Sequence, residues 1–290
     1  MAGSARNDLK QLIFKSGSAV NKLIAANVVV FILLGLVRLV VFIMQTSEMY
    51  FEDIISWLAV PAALPILATR PWTIFTYMFV HIEFMHILFN MLWLFWIGKI
   101  FEEYLGYRKF TFVYIAGGLA GGAFFIAFSN LVQAFHTFSP TIGASASVMA
   151  IIAATATLLP DYGIGLLFFG TVKLRWLAIG YVVLDIIVLP GGNIGGQLAH
   201  LGGALLGFVY IQRLRKGNDW SAPFVKLFSP KPSKSPLKVA YRAEKPSLQS
   251  KEKSNEQIID EILDKISKFG YTSLTEREKQ QLFRASQDID

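Results

Sequence analysis

Along most of its first 215 residues the chain alternates long apolar runs with short polar breaks. The run lengths predict membrane-crossing helices rather than the half-apolar helices of a soluble core. Residues 23–44 form the first run, interrupted only by Arg38, whose stem can carry its charge to an interface. Residues 46–70 mix Glu48, Glu52, Asp53 and Trp57 with prolines, which suits an amphipathic loop on or in the outer leaflet. From 72 to 101 the chain is largely apolar for about thirty residues, more than one untilted span needs at about 1.5 Å per residue. Residues 72–80 are therefore assigned to the loop, and the second helix to a start near His81 or Ile82. A charged loop with Lys99, Glu102, Glu103, Arg108 and Lys109 leads into a third run, 110–130. An uncharged loop, 131–142, holds His136 and Pro140. Runs at 145–159, 174–189 and 197–211 follow, the first stopped by Pro160-Asp161 and the second by Pro190-Gly191-Gly192. The predicted class is all-α: a polytopic bundle of six transmembrane helices with a small helical hairpin at the C-terminus.

Composition agrees, since 54% of residues are hydrophobic and 16% charged, more apolar surface than a soluble core needs. The net charge of +7 raises nucleic acid as a partner, but its distribution argues against it. Sixteen of the 27 Lys and Arg residues follow Tyr210, a pattern suited to a tail held against an anionic bilayer surface. In the body, Lys and Arg gather before run one, between two and three, between four and five, and after six; the opposite loops hold Arg70. The asymmetry predicts both termini inside, in a multi-pass protein of the cell (inner) membrane. The first run is too long for a leader's apolar region, so no cleavable signal is expected. With no cysteine, disulfides and thiolate chemistry are excluded.

The organisation that follows is an N-terminal cytoplasmic segment (1–22), the membrane body (23–216), a flexible basic linker (217–254) and a soluble helical hairpin (255–290). In the hairpin, Ile258, Ile259, Ile262, Leu263 and Ile266 recur at helical spacing. Gly270 ends that helix, and Thr275 with Glu278 forms a capping box for the next. A surface for a cytoplasmic partner and a solubilising appendage are both open readings of it.

The candidate chemistry starts from His200, an ionisable residue just inside an apolar run, which needs a partner there. On the predicted topology runs four and six both begin at the outer face, so Ser145 and His200 lie at similar depth. Run two also starts outside, bringing His81, His86 and Asn90 to the same leaflet; His86 and Asn90, four apart, share a helix face. His136 stands apart in a loop. Ser145 opens a helix, where unpaired N–H groups and the dipole favour developing negative charge, and Gly143 lets the backbone approach closely. A nucleophilic serine needs a base and oxyanion donors: His200 is the candidate base, and His86 and Asn90 the candidate donors. Gly203 and Gly207 form a small-xxx-small face that would pack run six tightly on run four. Such closeness is what a dyad without a third, orienting carboxylate would require. Ser147, about 200° round the helix from Ser145, ranks behind it.

Gly143-Ala144-Ser145, Ala199-His200-Leu201-Gly202-Gly203 and the His81, His86, Asn90 set, in this order, resemble the rhomboid family of intramembrane serine proteases. The resemblance implies that Ser145 is the nucleophile and His200 the general base. It implies an oxyanion hole from His86, Asn90 and the Ser145 N–H, with His81 in support. It further implies transmembrane protein substrates in a lipid bilayer, lateral access past the fifth span, and neither a metal nor a cofactor. Ala146 stands where the family usually has glycine, as in related bacterial members with the Gly-Ala-Ser-Ala form, and its methyl is expected near the oxyanion region. Met149 stands where some members pack an aromatic ring on the base.

Among rival readings, a metalloprotease built on His81 and His86 fails on spacing: five residues rotate them about 140° apart on a helix. An inactive, client-binding rhomboid-like protein is the alternative function; such relatives typically lack the serine or histidine kept here. A transporter would need inverted repeats and paired intramembrane charges.

Overall fold

The computed structural model describes residues 17–135, 139–166, 170–191, 193–227 and 255–287. It divides into two compact units, Met1–Lys231 and Pro232–Asp290. The first unit is a helical bundle. Helix α1 (Ala19–Ile43) starts at Ser18, whose hydroxyl caps the Asn21 N–H. Its buried positions include Val20, Asn27, Leu34 and Val41, a strict seven-residue spacing that makes one narrow seam. Much of its remaining apolar surface, including Val29, Ile32, Leu33, Leu36, Leu39 and Ile43, is exposed and suits contact with lipid. At the seam Asn27 donates to the Tyr114 hydroxyl at 3.0 Å.

Helix α2 (Phe84–Leu131) runs for 48 residues with one non-helical residue, Gly106, at φ 81°, ψ 160°. That is about 72 Å of helix at about 1.5 Å per residue, more than twice a hydrocarbon core of about 30 Å. Gly106 therefore does the work assigned to a charged loop: a single residue with no Cβ turns the chain. The second helix also begins later than expected. Its N-cap is Glu83, which leaves His81 in the loop before it. Helix α3 (Ser145–Leu158) has 14 residues, 11 of them buried, as an all-round apolar helix should. Helix α4 (Leu174–Val188) is the opposite, burying only Leu174, Ala178 and Asp185. Helix α5 (Ile194–Arg215) opens at Asn193, which accepts from the Gly196 N–H at 3.0 Å.

Among the described residues, four helical stretches are long and apolar enough to cross a membrane by length and composition: α1, α2, Leu174–Gly191 and α5. The count differs from the six runs of the sequence for two reasons. Two runs share α2, and α3 is too short to meet the length. The chain is also not wholly α-helical: β1 (Gly163–Leu166) and β2 (Gly170–Lys173) pair antiparallel between α3 and α4, with Gly163 opposite Lys173. Asp161 at the base of this hairpin binds Lys173 at 2.9 Å and also Arg175.

The core is a seam between the second half of α2, α3 and α5, and glycine makes it possible. A Cβ on Gly203 would collide with the Ala146 carbonyl, and one on Gly207 with the Ala150 carbonyl. A Cβ on Gly121 would lie 2.5 Å from the Ala146 Cβ and 2.6 Å from the Ala199 oxygen. Here backbones touch with no side chain between them, the close approach that small residues allow in membrane helices.

Residues 44–83 are not a featureless loop. They carry short helices, Met49–Ser56 and Leu64–Thr69, and are stitched by Trp57 and Trp72, stacked at 5.9 Å, with the Arg70 guanidinium 4.1 Å over Trp57. Arg38 pairs with Glu48 at 2.7 Å. Part of the stretch read as linker is also built into the bundle. Asp219 pairs with Lys109 at 2.7 Å, and the Phe224 ring in the short helix Ala222–Leu227 lies 5.8 Å from Phe112. In the second unit, α6 (Asn255–Phe269) and α7 (Glu276–Gln287) flank Gly270 at φ 80° and bury Ile262 and Leu274. Glu278 accepts from the Thr275 N–H at 2.7 Å, and the Thr275 hydroxyl caps the Glu278 N–H.

Candidate active site

The chain leading into α3 is held from three sides. Val60 and Thr141 exchange both backbone hydrogen bonds, at 3.0 and 2.9 Å; the Gly143 N–H donates to the Tyr77 carbonyl at 2.9 Å. His81, fully buried, accepts the Ala144 N–H on Nε2 at 3.2 Å. Gly143 sits at φ +117°, where an L side chain is strained, and a Cβ there would lie 2.6 Å from His86 Cε1. The glycine thus meets a backbone requirement and a contact requirement together. The first residue of α3 is Ser145, so the free N–H groups of its opening turn lie beside the serine.

Ser145, His200, His86 and Asn90 line one cavity of about 390 Å³, with Glu83, Trp93, Tyr181 and Asn193 among the other walls. No hydrogen bond joins Ser145 to His200 among the described residues. Catalytic bonds are often long without substrate and tighten in the complex. Asn90 spends one donor on the His86 carbonyl at 2.8 Å. His81 lies behind the cavity wall, its ring edge-on to His86 at 4.9 Å. The two rings are close because His81 precedes the helix, so the angular argument from a shared helix does not apply to them. Ser147 is fully buried with its hydroxyl toward the Met78 sulfur, outside the cavity. His136 lies outside the described residues.

The two departures from the family pattern, Ala146 and Met149, both lie away from the cavity. The Ala146 methyl does not line the cavity; it packs at Gly121, where a second methyl would not fit. Met149 is buried, and the aromatic ring beside His200 comes from α4: Tyr181, edge-on to His200 at 6.1 Å. More consequential is Asp185, one helical turn beyond Tyr181. Both of its carboxylate oxygens lie 3.1 Å from His200 Nδ1, with the two side chains 9% and 16% exposed. His200 therefore does have a carboxylate neighbour, contrary to the expectation of a pair without one. Its signal was available as the single acidic residue of the apolar run 174–189, ten residues past Arg175 and far from the charged end of that run.

Comparison with known proteins fits this arrangement. The Rhomboid domain matches residues 68–217. Residues 248–288 match a family of unknown function, DUF6576. The chain is similar to RHOMBOID-like protein 12, mitochondrial, of Arabidopsis thaliana, 32% identical over 161 residues, 51% of this chain and 48% of that protein. It is also similar to the Rhomboid protease GlpG of Salmonella choleraesuis (strain SC-B67) and of Salmonella newport (strain SL254). Each is 37% identical over 71 residues, 24% of this chain and 25% of theirs. The chain thus spans about half, or a quarter, of the length of these curated relatives. With a matched domain that covers more than half of its residues, bounds the glycine seam and contains the whole cavity, the chain belongs to the rhomboid family.

Proposed function

We propose that the chain is an intramembrane serine endopeptidase that cleaves transmembrane proteins near the outer face of the cell membrane. In this reading it crosses the membrane six times with both termini inside, α2 supplying two crossings divided at Gly106 and α3 a short, protein-enclosed one. Ser145 Oγ attacks the scissile carbonyl carbon while His200 Nε2 takes the hydroxyl proton. The oxyanion draws on the Ser145 N–H, His86 and Asn90. The C–N bond then breaks, His200 returns its proton to the leaving amine, and the acyl group remains as an ester on Ser145. A water deprotonated by His200 hydrolyses that ester, releasing the acid and restoring the serine.

The observation that carries the proposal is the shared cavity: nucleophile, base and both candidate donors open onto one space at the start of a helix. The test is fluorophosphonate labelling, and cleavage of a transmembrane reporter, by the full chain in liposomes. Wild type should label and cleave, Ser145→Ala should do neither, and His200→Ala should lose most of both. Equal labelling of wild type and Ser145→Ala would refute the nucleophile. A folded wild type that neither labels nor cleaves would turn the reading to a client-binding relative.

A further inference from the structure

Asp185 is a buried acidic residue that the proposed chemistry does not use. A carboxylate inside an apolar span is costly and persists only with a partner. Among the described residues its hydrogen-bonding partner is His200, approached symmetrically through Nδ1 at 3.1 Å by both oxygens. An ionised carboxylate can only accept, so the imidazole proton of this contact lies on Nδ1. In the neutral ring Nε2 is then left as the lone-pair nitrogen, the form a general base needs. The carboxylate belongs to α4 and the base to α5, so the contact also ties a lightly packed helix to the central seam.

We propose that Asp185 is the positioning residue of His200, fixing its tautomer and ring orientation and so extending the serine–histidine pair to an Asp185–His200–Ser145 chain. This rests on the serine-protease reading above. When His200 accepts the Ser145 proton, the Asp185 carboxylate faces the resulting imidazolium and stabilises it. The proton stays on the ring until it passes to the leaving amine, and Asp185 is never protonated.

The test uses the full chain in liposomes with Asp185→Asn, which keeps the packing, and Asp185→Glu, which restores the charge. Cleavage of a transmembrane reporter should show kcat down roughly 10²- to 10⁴-fold in the Asn variant with KM within about twofold. The Glu variant should recover at least about tenfold of that loss. Nitrogen-15 histidine spectra in alkaline buffer, with His200 assigned through His200→Ala, should show the Nδ1–H form in wild type and a population of the Nε2–H form in Asp185→Asn. A kcat within about threefold of wild type, or a loss across the three proteins that simply follows their thermal midpoints, would overturn the proposal. An unchanged tautomer in the Asn variant would do the same. The spectra need no turnover, so a wild type that cleaves nothing defeats the protease reading while the Asp185 contact is still decided.

Discussion

Gly203→Ala adds one methyl where the structure has no room for it, and its effect can be sized. The new Cβ would lie 2.8 Å from the Ala146 carbonyl carbon and 3.2 Å from its Cα, and it would press harder still on the oxygen. These are backbone atoms of a helix buried nearly all round, so no side chain can swing aside. Relief to an ordinary 3.4 Å contact takes at least about 0.6 Å on the carbon and more on the oxygen. Helix α5 must therefore shift by about 1 Å, and His200, three residues earlier on it, must move relative to Ser145. Displacements of that size cost about 10²-fold in rate when two groups must meet, and overpacking costs about 1–3 kcal/mol in stability. Cleavage of a transmembrane reporter in liposomes should show kcat lower by roughly 10²-fold with KM little changed, and the thermal midpoint in detergent should fall. Gly35→Ala on α1, where a Cβ meets nothing within 4 Å, is the control and should behave as wild type. A Gly203→Ala protein with wild-type kcat and midpoint would refute the view that backbone contact at this seam sets the spacing of the two residues.

Three further outcomes follow from other contacts. Gly143→Ala should reduce fluorophosphonate labelling more than tenfold, because it strains φ and drives a methyl into the His86 ring; equal labelling would show that the loop relaxes freely. Tyr77→Phe removes a buried hydroxyl that donates to the Gly118 carbonyl at 2.6 Å, and chemical unfolding should read a loss of about 1–3 kcal/mol. In the C-terminal unit the Lys265 ammonium, then the Thr275 N–H and hydroxyl, pull the Glu278 carboxyl from its ordinary 4.5 down to about 2. A lowered folded-state value means the contribution is complete above about 4.5 and is lost as pH falls through about 2. Amide exchange in the full chain should accordingly show α6 and α7 losing protection across that window in wild type, with a flatter profile in Glu278→Gln.

How far the sequence could be read depended on whether a feature is local or lies between helices. The apolar runs give the helices, and Ser145, His200, His86 and Asn90, which line one cavity, could be grouped from the sequence because each lies in the first two turns of a helix. The break between the second and third runs falls within the charged stretch 99–109, as the charges indicate, but it is narrower than a loop, because one glycine with positive φ, Gly106, is enough to turn the chain. The Asp185 contact was missed because neither α4 nor α5 carries a motif for it; it exists only once the two helices pack. The same holds for Tyr181 lying beside His200, and for Gly121 making room for Ala146. The apolar surroundings of His81 suggest a helix start, but its buried ring accepts the backbone N–H of Ala144, the residue just before Ser145.

The brevity of α3 acts as a ruler. Fourteen residues rise about 21 Å, against about 30 Å of hydrocarbon. In the proposed orientation its inner end is tethered to the charged Asp161, Lys173 and Arg175 cluster, which belongs in water. Its outer end must then stop about 9 Å short of the opposite surface, and Ser145 stands at that end. In the proposed function the depth of the cut is thereby written as a residue count. One residue inserted below Ser145 would raise the serine by about 1.5 Å and swing it about 100° away from His200, so depth and aim cannot be changed separately.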